Sequence, residues 1–497
     1  MNNLAKAAIA GAAVTGSFIP VSITEGVVTG IAPERHGRVM PDHPNIVLIM
    51  TDQHNADYLH CLGKTYLKTP NLDALAAVSA VFRSAYSASP VSGPSRAAIF
   101  TGCYPLQNGV HTNWIPLKKG PVLLTDRLAA EGYYNAMIGK LHLTPVDSSH
   151  GFTFRKICDS PYDVYDKREV IYNDYLPWAA GCMGISRDDL VSRAGECERL
   201  KITDPGFWLG KSWADDKCQI TTWTGNEAVS FINGYKEDKP FFLHISFFGP
   251  HHPYTTAEPW ISMYDPEEVT LPPTLGKVQP GAQKGFRADW PESLWREIIA
   301  RYSGSISAID YQIGRIIKAL KEKGLWDNTL VVFTSDHGDH MGDFSQLGKG
   351  TMLESSVRVP FLIKPPGETM KEKQFPQVIN LIDLYSTFLD YAGARPVSNT
   401  ASESIRPILS GSGEWKNQTY SSLCSQDGLN GQVMFIKDNL KCVGFLKDGK
   451  LSTELYDLSR KNPDSENLAD SPEYKPVVNE MKIAEEKWLR SLLPIFQ

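Results

Sequence analysis

The sequence predicts an α/β fold: a large, mixed but mostly parallel sheet between layers of helices, followed by a small C-terminal antiparallel sheet with a helix packed on it. Three observations carry this expectation. Four continuous apolar runs have the character of strands buried on both faces. Apolar residues at helical spacing lie between them, the alternation that builds a parallel sheet. Beyond about residue 410 the pattern changes to short mixed runs broken by turns, then one last helical stretch.

In chain order, the first element is a small apolar segment, Ala7-Ala8-Ile9-Ala10-Gly11-Ala12-Ala13-Val14, then Phe18 and Ile19, with Lys6 the only charge before Glu25. A short apolar core behind a weak basic head describes a secretory signal over residues 1–30, too short and glycine-rich to span a membrane. A start without export is the competing reading. Asn45-Ile46-Val47-Leu48-Ile49-Met50 is the first buried strand, and Asn135-Ala136-Met137-Ile138 a short second one. The stretch 152–223 has weak periodicity and many aromatics, and is expected to be an insertion. Phe241-Phe242-Leu243-His244-Ile245-Ser246 is the third strand. Ile306, Ile309, Ile313, Ile316, Ile317 and Leu320 follow one helical face, and Gly324 stands where a helix-ending glycine would. Leu330-Val331-Val332-Phe333-Thr334 is the clearest strand. A Gly/Ser-rich stretch at 410–414 separates a catalytic domain over 40–410 from a C-terminal subdomain over 411–497. There, residues 433–436, 440–445 and 454–458 are short strands, Lys447-Asp448-Gly449-Lys450 is a hairpin turn, and 474–493 is a helix.

Length and charge set outer limits. At 497 residues the chain exceeds what one hydrophobic core usually holds. A net charge of -6 argues against a nucleic-acid binder, which needs a basic face. The eight cysteines include no CxxC pair, so neither a zinc nor a redox motif is indicated. Export would allow pairs such as Cys182 with Cys218, or Cys424 with Cys442.

In open α/β sheets ligands bind beyond the carboxyl ends of the strands. The four runs lead into Asp52-Gln53, Gly139-Lys140-Leu141-His142, Gly249-Pro250-His251-His252-Pro253 and Asp336-His337-Gly338. Any one alone is ordinary turn chemistry; together they bring carboxylates, a lysine and histidines to one edge. Asp52, Gln53, Asp336 and His337 form a candidate divalent-metal site, whose oxygens suit calcium or magnesium and whose imidazole leaves room for a softer ion. Lys140 and Lys349 supply positive charge for a tetrahedral anion. His142 and His251 suit proton transfer near neutral pH. In Ser92-Gly93-Pro94-Ser95-Arg96, the proline places Ser92 just ahead of a helix N-terminus, where backbone donors favour an anion. Read in isolation, the same stretch is a serine cap with an exposed arginine.

Ser92-Gly93-Pro94-Ser95-Arg96 with Thr101-Gly102 resembles the signature of the type I sulfatases, in the alkaline phosphatase superfamily. Asp52-Gln53, Gly139-Lys140-Leu141-His142, Pro250-His251-His252-Pro253, Thr334-Ser335-Asp336-His337-Gly338 and Gly348-Lys349-Gly350-Thr351 resemble its further motifs, in the same order. The resemblance implies an alkaline-phosphatase-like fold and a sulfuric ester hydrolase whose Ser92 is oxidised to formylglycine and joins the metal ligands. It implies calcium before magnesium, and a sulfatase-maturing enzyme of the anaerobic bacterial type, because Ser92 stands where many relatives have cysteine. It also implies roles. Asp336 accepts a proton from the attacking hydroxyl of the hydrated aldehyde. His251, with Lys349, protonates the departing alcohol. His142 takes the proton of the second hydroxyl, and Arg96 and Lys140 hold formylglycine and sulfate oxygens. His252 is left between a substrate contact and a turn position. Two departures stand out: many members have Asp-Asp where this chain has Asp52-Gln53, and Asp-Asn where it has Asp336-His337.

Two rival readings remain at this level: a phosphonate or phosphate ester hydrolase on the same scaffold, and a non-catalytic binder of sulfated glycans with Ser92 never oxidised. Export to the periplasm or beyond, and Trp114, Trp178, Trp208, Trp213 and Trp223 in or near the insertion, favour a sulfated saccharide as substrate. The alternative for these tryptophans is burial in the core.

Overall fold

An apolar run is a central strand only if both its faces find partners, and Asn45–Asp52 (β1) does: all eight residues are buried. Ile46, Leu48 and Met50 point into one core, with Leu330 and Val332. Val47 and Ile49 point into another, with Val331 and Phe333. The computed structural model describes residues 43–492 apart from 162–172, 199–202, 210–211, 284, 368–369 and 371–372, so the expected signal segment lies outside the described residues.

Seven more strands complete the sheet: Ala80–Phe82 (β2), Tyr134–Gly139 (β3), Phe154–Ile157 (β4), Phe241–Pro250 (β5), Thr329–Ser335 (β6), Phe361–Lys364 (β7) and Gln374–Phe375 (β8). Their order is β8-β2-β7-β6-β1-β5-β3-β4. From β6 to β4 every pairing is parallel, in a register that sets Ile46 beside both Leu330 and Phe242. β7 runs antiparallel to β6 and β2, so the sheet is mixed.

Helices cover both faces. Ser92–Thr101 (α2), Leu124–Ala130 (α3) and Asp383–Tyr391 (α6) pack on one. Pro70–Ala76 (α1), Ile220–Gly234 (α4) and the 31-residue Glu292–Glu322 (α5) pack on the other. The isoleucines predicted to share a face of α5 are buried there, and Gly324 follows with φ +69°. The stretch expected as an insertion opens with β4, on the edge of the sheet, and closes inside α4. Cys182 and Cys218 within it are disulfide-bonded, whereas Cys424 and Cys442 are free thiols.

The C-terminal sheet is antiparallel in chain order: Gln418–Cys424 (β9), Gly431–Lys437 (β10), Leu440–Lys447 (β11) and Lys450–Asp457 (β12). Asp448 and Gly449 both have positive φ, as the two-residue hairpin between β11 and β12 requires. Lys475–Leu492 (α7) lays Met481, Glu485, Trp488 and Leu489 inward. This layer does not stand apart. Trp488 and Val433 share a core with Ala98 of α2, and Tyr456 shares one with Met352 and Val357. Among the described residues, no helix is long and apolar enough to cross a membrane.

Candidate active site

Parallel strands end at a common edge, so the side chains at the ends of β1, β3, β5 and β6 converge. Two backbone features aim them. Gln53, just past β1, has φ +65°, which turns the chain sharply after Asp52. Gly139 has φ +97°, and a Cβ there would stand 1.9 Å from the Ser246 carbonyl oxygen, so only glycine lets β3 approach β5 and release Lys140 and His142 at the edge.

Ser92 is the first residue of α2 and is wholly buried. Its Oγ donates to Asp52 Oδ2 at 3.2 Å and lies 2.9 Å from His337 Nε2. The carboxylate in contact with the serine is therefore Asp52 rather than Asp336. Arg96, one turn along, is spent on the protein. Nε reaches Asp336 Oδ2 at 2.9 Å and Nη2 reaches Asp52 Oδ2 at 3.2 Å. Nη1 donates to the Lys140 carbonyl and to Ser246 Oγ. It joins the two carboxylates, instead of the exposed arginine that the bare motif allows. Lys140 Nζ lies 2.7 Å from Asp52 Oδ2. Lys349 Nζ lies 3.1 Å from His337 Nε2 and 3.5 Å from Ser92 Oγ.

Ligand atoms of Asp52, Asp336 and His337 lie within 4.8 Å of one another, all in buried side chains. His337 Nδ1 is engaged with the Gly338 carbonyl oxygen at 2.9 Å, which fixes the ring with Nε2 inward. Burial pushes His337 down to about 4, so the imidazole is neutral, the form a metal needs. Asp52 Oδ1 and Gln53 Oε1 are buried without any hydrogen-bond partner. An unpaired buried carboxylate oxygen is costly in a low dielectric. A cation would satisfy both atoms, so the donor set fits a divalent ion. Burial alone would raise the Asp52 carboxyl, but Lys140, His251, Lys349 and Arg96 hold it well below the usual range. Burial lowers Lys349 to about 8.

The histidines differ. His142 has φ +55° and its ring stacks on Trp114 at 4.6 Å, with neither nitrogen hydrogen-bonded. Burial, then Lys140 and Arg96, hold it neutral. His251 packs on Phe248 and His252, with Nδ1 engaged at the His252 carbonyl oxygen. Burial, then His252 and Lys349, lower it well below 6.5. His252 lies between Trp208 and His251, with Nδ1 3.1 Å from Gln53 Nε2.

These side chains all lie within residues 44–394, which match the sulfatase family model. The chain belongs to the sulfatase family. A second model, the C-terminal part of N-sulphoglucosamine sulphohydrolase, matches residues 342–489. The chain is 30% identical over 471 residues to an arylsulfatase of Clostridium perfringens, covering 88% of this chain and 93% of that one. It is 23% identical to an N-acetylglucosamine-6-O-sulfatase of Bacteroides thetaiotaomicron, covering 89% and 86%. Its fold is similar to that of a phosphonate monoester hydrolase of Agrobacterium radiobacter, with TM-score 0.74, 24% identity and 90% and 95% coverage. This sulfatase is thus a sulfuric ester hydrolase.

Three residues of the sulfatase site escaped the sequence. Asp159 accepts from the backbone N–H of Leu141 and His142, at 2.8 and 2.9 Å, and so pins that loop; nothing in its neighbourhood marks it. Ser246 holds Arg96 from inside an apolar strand. Asp339 accepts from Gln53 Nε2 and from Tyr254 at 2.8 Å, and burial raises it to about 6. Asp339 did carry a signal, a second carboxylate three residues after Asp336. Of the five tryptophans, Trp208 and Trp223 are buried and Trp178 and Trp213 are half-buried in packed clusters; Trp114, 37% exposed, stands over His142.

Proposed function

We propose that this sulfatase releases sulfate from a sulfated saccharide, using a formylglycine made from Ser92 and a divalent cation held by Asp52, Gln53, Asp336 and His337. The observation that carries the metal reading is the pair of buried oxygens without a hydrogen-bond partner, Asp52 Oδ1 and Gln53 Oε1, beside the Asp52–Asp336–His337 cluster. Four oxygens and one imidazole nitrogen, counting Ser92, favour calcium over magnesium and zinc. When bound, the cation stabilises negative charge building on sulfate oxygens, and the hydrated aldehyde supplies a stronger nucleophile than a serine hydroxyl.

The chain's own residues do the rest. Arg96 keeps the two carboxylates at fixed separation. Lys140 and Lys349 bring two positive charges to the sulfate. Asp52 is held ionised by its cations, and by the family resemblance Asp336 is the group that takes the nucleophile's proton. His142, neutral and without a hydrogen-bond partner, is ready to accept a second proton. Burial, then His252 and Lys349, favour neutral His251, and the negative charge of an arriving sulfate ester favours the protonated form it needs as general acid. The saccharide reading rests on the 6-O-sulfatase relative and on Trp114, a half-exposed aromatic at the mouth of the site. Export to a periplasm and oxidation by an anaerobic-type maturing enzyme belong to the same proposal.

The test is a screen of defined sulfated sugars for sulfate release, with the matching phosphate esters in parallel, on protein from a host that oxidises serine. Peptide mass at Ser92 should show loss of two hydrogens. Faster phosphate than sulfate release, or an unmodified serine in fully active protein, overturns the reading.

A further inference from the structure

Gln53 stands where many members of the family carry a carboxylate, and an amide is ambiguous: turned one way it offers an oxygen to a cation, turned the other way an N–H. The surroundings remove the ambiguity. Gln53 Nε2 donates to Asp339 Oδ2 and lies 3.1 Å from His252 Nδ1. Both neighbours sit on the nitrogen side, which leaves Oε1 as the corner without a protein partner.

Asp339 is itself locked. Its Oδ1 accepts from the backbone N–H of Met341 at 2.9 Å and of Gly348 at 3.1 Å. Its Oδ2 accepts from Tyr254 Oη at 2.8 Å besides Gln53. The two backbone donors hold Oδ1, so Oδ2 is the oxygen turned to Tyr254 and to the Gln53 Nε2. His252 packs against Trp208 and His251, its ring centroid 4.7 Å and 4.1 Å from theirs, contacts that restrict its ring.

We infer that Asp339, backed by His252, is the positioning residue that fixes the Gln53 amide with Oε1 toward the cation, so that an amide serves where relatives use a carboxylate. This deepens the metal reading and rests on it. In Asp339→Asn, the Met341 and Gly348 N–H groups keep the asparagine oxygen on their side. The asparagine Nδ2 then confronts Gln53 Nε2, N–H against N–H, and relief requires Gln53 to rotate and present its nitrogen to the metal. Gln53→Glu has the opposite fault: it keeps the shape but sets two carboxylates within hydrogen-bond distance of each other, which disfavours ionisation of one of them. Combining the two substitutions restores one amide facing one carboxylate, with the roles exchanged.

The experiment uses EDTA-stripped, unoxidised full-length protein, so that metal binding is read apart from turnover, with calcium chloride titrated by calorimetry. Each single variant should bind calcium about 10- to 100-fold more weakly than the parent. The double variant Gln53→Glu/Asp339→Asn should recover to within about fivefold, a recovery that a merely structural Asp339 would not produce. Melting temperatures without metal identify any variant that fails to fold; if Asp339→Asn does, the contrast between Gln53→Glu and the double variant still decides. Singles that bind as the parent does, or a double variant no tighter than either single, overturn the positioning role alone. A parent chain that binds neither calcium, magnesium nor manganese overturns the metal reading and this inference with it.

Discussion

Two clusters of buried charge lie in this molecule, and they are finished differently. On the C-terminal sheet, Lys441 is wholly buried, and its ammonium meets the Met352 carbonyl oxygen at 3.2 Å, Glu354 at 3.1 Å and Asp464. Asp464 also accepts from the Glu354 backbone, and Glu354 Oε2 from Tyr86 and Arg358. Every proton of that ammonium has an acceptor. At the strand edge, Arg96, Lys140, Asp52 and Asp336 form an equally buried network, yet Asp52 Oδ1, Gln53 Oε1 and both nitrogens of His142 have no hydrogen-bond partner. Burying polar groups is tolerable when all are satisfied and costly when some are not. The satisfied network holds the fold; on the proposed reading, a cation completes the other.

That contrast can be broken in order of expected effect. Ser92→Ala should reduce kcat on the order of 10⁶-fold, while the melting temperature stays within about 3 °C; a large loss of stability would move Ser92 into the structural class. Asp52→Asn should likewise remove bound metal and about 10³-fold or more of kcat/KM, as elemental analysis and steady-state kinetics will show. For Lys441→Met the pattern should invert. It leaves two buried carboxylates without their cation, at a cost of about 3–5 kcal/mol in denaturant unfolding, with less than tenfold change in kcat per folded molecule. His251→Ala sharpens the assignment within the edge. A general acid matters for a sugar alkoxide and little for a nitrophenolate, so kcat/KM should fall about 10²–10⁴-fold on a sulfated sugar and far less on an activated aryl sulfate. Equal losses would make it a sulfate-positioning group.

Glu485 is the apparent exception and gives the smallest effect. It is fully buried on the inward face of α7, with the Cys442 thiol and the Gly444 backbone as polar neighbours, far along the chain from the edge. Burial pushes it from 4.5 up to about 8, so it is held as a neutral acid. A raised carboxyl contributes its stability fully below about pH 4.5 and loses it as pH rises through about 8. The melting temperature should therefore fall across that interval, and Glu485→Gln should flatten the profile, gaining about 2–4 °C at pH 8. Parallel profiles would show that Glu485 is ionised in the native state.

Much of this was legible from residue patterns because the buried strands are strongly apolar and their ends are short. Four runs, Asn45 to Asp52 among them, located the edge and the groups on it. The hairpin at Asp448-Gly449 and the end of α5 at Gly324 were legible because positive φ restricts the residue type. What stayed hidden depends on contacts across long separations. β9 buries Thr419, Ser421, Ser422 and Cys424 while Tyr420 and Leu423 are only partly buried, so its sequence carries little apolar alternation. Asp159 acts only through backbone it meets after folding. Arg96 looks like a surface arginine until two carboxylates from distant strands close on it. His252 meets Gln53 only across 199 residues of chain, a contact no local pattern encodes.

The enclosure of Ser92 also has a timing. The imidazole that closes over it belongs to His337, 245 residues later in the chain. At ribosomal rates of about 5–20 residues per second, that distance corresponds to roughly 12–50 s of elongation. Throughout that interval the serine exists on a nascent chain whose own lid has not been made. If Ser92 is oxidised as proposed, the oxidising enzyme has its opportunity then, and slower codons between positions 92 and 337 would lengthen it.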